Sequence, residues 1–335
     1  MGQRANLLLR REGRTELFYT HWRANTLDSD LFWGPAAAEA FIRAQRSESE
    51  GAAWLDEVWA EGGAVVDFDR RVLLWFGGEE VECDVPLRRV HLALMRELWP
   101  EWSVRWAHGH LPELATYVGR STEDLLTPEG EAWTPSLEAP EEPDWLSSVV
   151  SFEGPREEWK LLGLDQDASE LALVGVRLVA LLDEADLPDR LDASRGPEFP
   201  QGGLHVDAVR RRLDVWTAPP QPVFEERLQA KWPGWGIRWH RDRFEAVSEK
   251  LGNRLQLPER DPVALVDRVR SAVLRAPPDR GGLVQELTGV LGAESVVGVN
   301  PFALRDDPPA APDHAHAEAF ERAVASASRR GGLLA

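Results

Sequence analysis

Hydrophobic and polar positions fall into a pattern that occurs twice along the chain. Apolar-rich runs at 5–11 and 15–22 flank Glu12-Gly13, and runs at 147–152 and 158–164 flank Gly154-Pro155; each is the signature of a β-hairpin. A helix is predicted after each hairpin, near 35–45 with Pro35 in its first turn and near 168–183. A second hairpin follows paired glycines in both places, 63–68 with 71–76 and 203–208 with 211–216. An amphipathic helix from Pro86 then places Leu87, Val90, Leu94 and Leu98 on one face. A last helix carries Leu111, Leu114, Ala115 and Val118, answered by Phe244, Val247 and Leu251.

The residues themselves repeat as well. GGAVVDFDRRVL at 62–73 matches GGLHVDAVRRRL at 202–213 at seven of twelve positions. WPEWSVRW at 99–106 matches WPGWGIRW at 232–239 through Trp99, Pro100, Trp102, Arg105 and Trp106 against Trp232, Pro233, Trp235, Arg238 and Trp239. Two blocks in the same order at similar separation predict a tandem duplication of a domain-sized unit. The fold class expected is α+β, a repeated ββαββαβα unit with mainly antiparallel sheets. Its copies span 1–124 and 145–256, joined at 125–144 by a Pro- and Glu-rich linker. Residues 257–335 read as a mostly helical C-terminal segment, with helices at 262–274 and 282–291, a short strand at 295–299, a spacer at 306–312, and an alanine-rich helix at 315–328 that needs docking to be stable.

Charge narrows the functional classes. Lys and Arg number 38 against 57 Asp and Glu, a net charge of −19, which disfavours a nucleic-acid partner and suits a basic protein partner met by electrostatic steering. No run of apolar residues is long enough for a membrane span or a secretory signal, so a cytoplasmic location without a membrane partner is expected. The single cysteine, Cys83, lies among Glu79, Glu80, Glu82 and Asp84, where neighbouring charge suppresses a thiolate. Phosphate-loop, dinucleotide-binding and nucleophile-elbow motifs are absent, and no cofactor is expected.

Three groups of residues carry the candidate chemistry. The chain has 15 tryptophans; those of the repeated strand, Trp102 and Trp106 with Trp235 and Trp239, read as core anchors, and Arg105 and Arg238 project opposite to them, available to a partner or to pairing with Asp67 and Asp207. On the outer face of the second hairpin Val72, Leu74 and Phe76 make an apolar patch in the first copy, whereas Arg212, Asp214 and Trp216 stand there in the second. Val72, Leu74, Phe76, Arg105, Arg238 and Trp216 are thus the partner-binding candidates. His108-Gly109-His110 after a predicted strand, with Asp67 or Asp69, offers a metal-dependent hydrolase as the alternative, although no third ligand stands at a fixed spacing. The expected function is a non-enzymatic interaction module of the inhibitor or immunity type. A structural subunit of a larger assembly is the further alternative.

Overall fold

The computed structural model describes residues 3–128, 135–138, 140, 146–156, 158–194, 196, 198–276 and 311–331. The expected linker lies largely outside the described residues, as do the elements expected at 282–291 and 295–299 and most of the spacer at 306–312.

The described elements form an α+β fold built on two mixed sheets. In the first half, β1 (Ala5–Arg11) and β2 (Arg14–Thr20) form a hairpin, and β4 (Gly62–Asp67) and β5 (Val72–Phe76) a second. With β3 (Arg46–Ser47) and β6 (Ser103–Trp106) the order is β3-β2-β1-β4-β5-β6. The second half has β7 (Ser148–Glu153), β8 (Trp159–Leu164), β10 (Gly202–Asp207), β11 (Arg212–Thr217) and β12 (Gly236–Trp239) in the order β8-β7-β10-β11-β12. A separate two-stranded ribbon joins β9 (Leu191–Asp192) to β13 (Leu255–Gln256).

The expectation of mainly antiparallel sheets needs correction. Hairpins are antiparallel, but β1 with β4, β5 with β6, β7 with β10 and β11 with β12 run parallel. Each parallel pair follows a helical crossover, which returns the chain over the sheet to start again from the same end. Between β2 and β4 lie α1 (Leu27–Asp30) and α2 (Pro35–Arg43); α3 (Glu79–Cys83) and α4 (Val85–Leu98) connect β5 to β6, and α5 (His110–Val118) follows. The second half has α6 (Ala168–Leu173), α7 (Arg177–Glu184), α8 (Phe224–Lys231) and α9 (Glu245–Leu251).

The helix expected over 168–183 is divided by Gly175, whose φ is +76°. A Cβ there would sit 2.5 Å from the Lys231 carbonyl oxygen, and one on Gly34 (φ +94°) would sit 2.8 Å from that of Leu98. Each glycine lets the helical layer touch the backbone just before Trp232 or Trp99. Those indoles are fully buried, and each donates Nε1–H to a carbonyl of that layer, Trp99 to Leu31 at 3.0 Å and Trp232 to Ala172 at 2.7 Å. Gly175→Ala is expected to lower the unfolding free energy by about 2 kcal/mol or more, through left-handed strain and the carbonyl clash. Urea denaturation checks this; a midpoint equal to the parent's would mean that the approach is not tight.

Core packing ties the C-terminal helices to the first half. α10 (Pro262–Val273) buries Leu265, Val266, Val269 and Val273, and α11 (His314–Arg329) buries Phe320, Ala323 and Ala327, in the same core as Trp75, Leu94 and Trp99. Docking supplies what the alanine-rich α11 lacks alone. The two halves meet through Arg88, which donates to the Ala218 carbonyl and pairs with Asp242, and through Arg227 with Glu57. Among the described residues no helix is long and apolar enough to cross a membrane.

Candidate functional site

The outer face of the second sheet carries a polar row where the first sheet is apolar on three of its four strands. Register places Ser151 of β7, His205 of β10, Asp214 of β11 and Arg238 of β12 side by side. The corresponding row of the first sheet is Leu8, Val65, Leu74 and Arg105. Side-chain alternation keeps Glu153, Asp207 and Arg212 on the same face one step along the strands.

Asp214 is buried and receives hydrogen bonds from His240 Nε2 (2.7 Å) and Lys250 Nζ. Burial alone raises its carboxyl, but these bonds and the Lys250 charge outweigh it and hold the group well below the usual carboxylate range. His205, 4% exposed, lies under the Trp159 ring, stacked at 5.4 Å with an interplanar angle of 10°. Burial, assisted by the Lys250 charge, pushes its imidazole down to about 4, so it is neutral at pH 7. Ser151 Oγ lies 3.2 Å from the Leu204 carbonyl and 3.0 Å from His205 Nδ1. The carbonyl can only accept, so Ser151 donates to it and accepts Nδ1–H, which leaves the imidazole lone pair on Nε2. One ligand atom each of Glu153, His205 and Asp207 lie within 4.8 Å of one another.

A second feature is a cleft of about 430 Å³ in the first half, bounded by α1, α2, α10 and the start of α11. Apolar walls come from Trp33, Ala37, Phe41 and Val273, and the acidic side from Asp28, Asp30, Glu79 and Glu80. Asp30 is held by the buried Arg23, whose Nε donates to Oδ2 at 2.9 Å, and Glu80 by Arg268 at 2.9 Å. Asp28 has no ion pair among the described residues. One of its oxygens accepts the Ser29 amide at 2.9 Å, and its backbone carbonyl lies 3.0 Å from His91 Nε2. Burial, with the charges of Asp30 and Glu80, raises its carboxyl to about 7.

The partner-binding candidates occupy varied surroundings. Val72, Leu74 and Phe76 are interior and not a surface patch, because α5 covers them: His110 packs on Phe76 at 4.3 Å, and Leu114 fills the space above Gly63. Trp216 is also buried, against Phe199 and Phe244. Arg105 and Arg238 are exposed, as alternation requires, but their expected carboxylates are engaged elsewhere. Asp67 caps its own hairpin by accepting the Asp69 and Arg70 amides and takes the Tyr117 hydroxyl at 2.9 Å, while Asp207 takes Arg210.

The metal set His108, His110 and Asp67 is not brought together. Asp67 stands at the hairpin end of the strands, whereas both histidines follow the opposite end of β6. Burial pushes each imidazole down to about 4, but His108 then senses Asp242 and Arg88, whereas His110 senses Glu57. The Cys83 thiol is pushed up to about 12, by burial first and the Glu82 charge second, and is no nucleophile at neutral pH.

Ser151, Glu153, His205 and Lys250 were not singled out by sequence, although the apolar-to-polar change at Leu74 and Asp214 marked their face. Extending the same parity one strand over would have exposed Val65 against His205. Asp28 left no local signal. Family models, characterised proteins and solved structures provide no match to this chain.

Proposed function

We propose that this chain is a non-enzymatic interaction module of the inhibitor type, built from a duplicated α+β unit, which seats a basic side chain of a partner protein in the first-half cleft. The observation that carries this reading is an apolar-walled cleft with an unpaired carboxyl, Asp28, on a chain of net charge −19. A lysine or arginine stem fits the apolar walls, and its charged head meets Asp28. Long-range attraction toward so acidic a chain accelerates encounter.

Several matches support the duplication. The five equivalent strands share order and direction, and Gly63 faces Phe76 as Gly203 faces Trp216. Both tryptophan blocks turn through a left-handed residue, Glu101 at φ 66° and Gly234 at φ 77°. Both stack the first indole edge-on against the second, at 5.1 and 4.9 Å.

A short arginine-rich peptide is the probe. Calorimetric titration is expected to show binding that weakens with salt, strengthens from pH 6 to pH 8 as Asp28 ionises, and is lost in Asp28→Asn. Equal binding by wild type and Asp28→Asn would remove the cleft from the interaction. The same variant has an independent stability signature. Because the Asp28 carboxyl is raised from 3.8 to about 7, its neutral form favours the fold at low pH, and that contribution is lost as pH rises through 7. Asp28→Asn is therefore expected to stabilise the protein at pH 8, by at most on the order of 4 kcal/mol, and to change little near pH 4. Urea midpoints at the two pH values measure the difference.

A further inference from the structure

We infer that Glu153, His205 and Asp207 form a divalent-cation site on the outer face of the second sheet, of the zinc or manganese class. Their ligand atoms already lie within 4.8 Å of one another, and a bound ion with bonds of about 2.1 Å would draw them closer. Two carboxylates and one neutral imidazole are the donor set that suits such ions.

His205 supplies the independent observation. The residue is 4% exposed, and Ser151 takes up Nδ1–H, so the remaining nitrogen presents a lone pair. No hydrogen-bond donor reaches His205 Nε2 among the described residues. A buried imidazole whose Nδ1–H is anchored and whose Nε2 lone pair is free is arranged as metal-ligating histidines are. Ser151 is its positioning residue.

Comparison of the two sheets points the same way. Register pairs Glu153 with Asp207 in the second sheet and Arg10 with Asp67 in the first, where Val65 occupies the place of His205. The first sheet thus has its own cation, Arg10 Nε lying 3.8 Å from Asp67. In the second sheet the cation is replaced by a further carboxylate and an imidazole is added. What neutralises the pair there is Arg210, 3.0 Å from Asp207 and 3.4 Å from Glu153, with a side chain 60% exposed. An exposed guanidinium on the hairpin turn can leave, and an ion takes its place.

The test is calorimetric titration of chelator-treated full-length protein with Zn²⁺, in high salt to suppress diffuse cation uptake by an acidic chain. His314→Ala/His316→Ala serves as the background, because those histidines stand with Asp313 at the start of α11 and would report zinc of their own. One equivalent per chain is expected on that background. His205→Gln should weaken uptake by at least about a hundredfold, and Ser151→Ala by about tenfold. If His205→Gln loses its near-ultraviolet circular dichroism, the half-buried Glu153→Gln replaces it as the ligand deletion. Absence of stoichiometric uptake on the background, or uptake unchanged by a folded ligand deletion, overturns the site. Neither result bears on peptide binding at Asp28, which lies in the other half.

Discussion

Arg88→Ala is expected to lower the unfolding free energy by about 3–5 kcal/mol, a large share of what holds most folds together. Its side chain is completely buried at the junction of the halves. The guanidinium donates to the carbonyls of Val81, Glu82 and Ala218, at 3.1, 3.0 and 3.0 Å, pairs with Asp242 at 3.1 Å, and lies over the Trp106 ring at 4.5 Å. Removing it leaves buried carbonyls and a carboxylate with no donor in place of the cation. The loss is therefore far larger than for an exposed pair such as Arg71 with Glu101, worth at most about 1 kcal/mol. Urea denaturation of Arg88→Ala and Arg71→Ala at pH 7 gives the comparison, and similar midpoints would show that the junction contributes little.

Acidification is expected to destabilise the fold steeply between pH 6.5 and pH 4. His91, His108, His110 and His205 are each held neutral, their imidazoles pushed by burial from 6.5 to about 4. A depressed histidine contributes stability that is full above 6.5 and lost as pH falls through the folded value. Each accounts for at most about 3 kcal/mol. Asp28 and Glu82 oppose the trend, because burial raises both to about 7 and their protonation favours the fold over the same interval. Two carboxyls returning about 3–4 kcal/mol apiece do not offset four histidines, so several kcal/mol are lost on balance. The urea midpoint should drop sharply from pH 7 to pH 4.5, and less sharply in His91→Leu. A midpoint that holds or rises toward pH 4.5 would show that the histidines protonate without opening the fold.

Much of the local structure could be read directly from residue types. Glu12-Gly13 announced its hairpin because the turn has positive φ at both residues, which a glycine and a short loop favour. Helix α4 was legible from Leu87, Val90 and Leu94, all buried, and from Pro86 near its start. The tryptophan blocks were recognisable because a strand alternates: Val104 and Trp106 are buried while Ser103 and Arg105 are exposed.

Strand direction was legible where a turn signal joined two strands, but not across the helical connections, since nothing local to a strand fixes which neighbour it pairs with after a crossover. Gly175 divides a helix because the Lys231 carbonyl, far along the chain, occupies the space of its missing Cβ. Val72, Leu74 and Phe76 became interior when α5 docked on them, a matter of packing that periodicity cannot see.

For this protein, then, the sequence by itself determined the hairpins, the amphipathic helices, the buried indoles and the contrast between an apolar and a polar outer face. Each depends on neighbours two to four residues apart. Tertiary structure alone decided the parallel pairings, the union of α10 and α11 with the first core, the cleft at Asp28, and the meeting of Glu153, His205 and Asp207. Those require atoms distant along the chain to share one dielectric environment, and burial there, not residue type, sets which carboxyls hold protons and which imidazoles give them up.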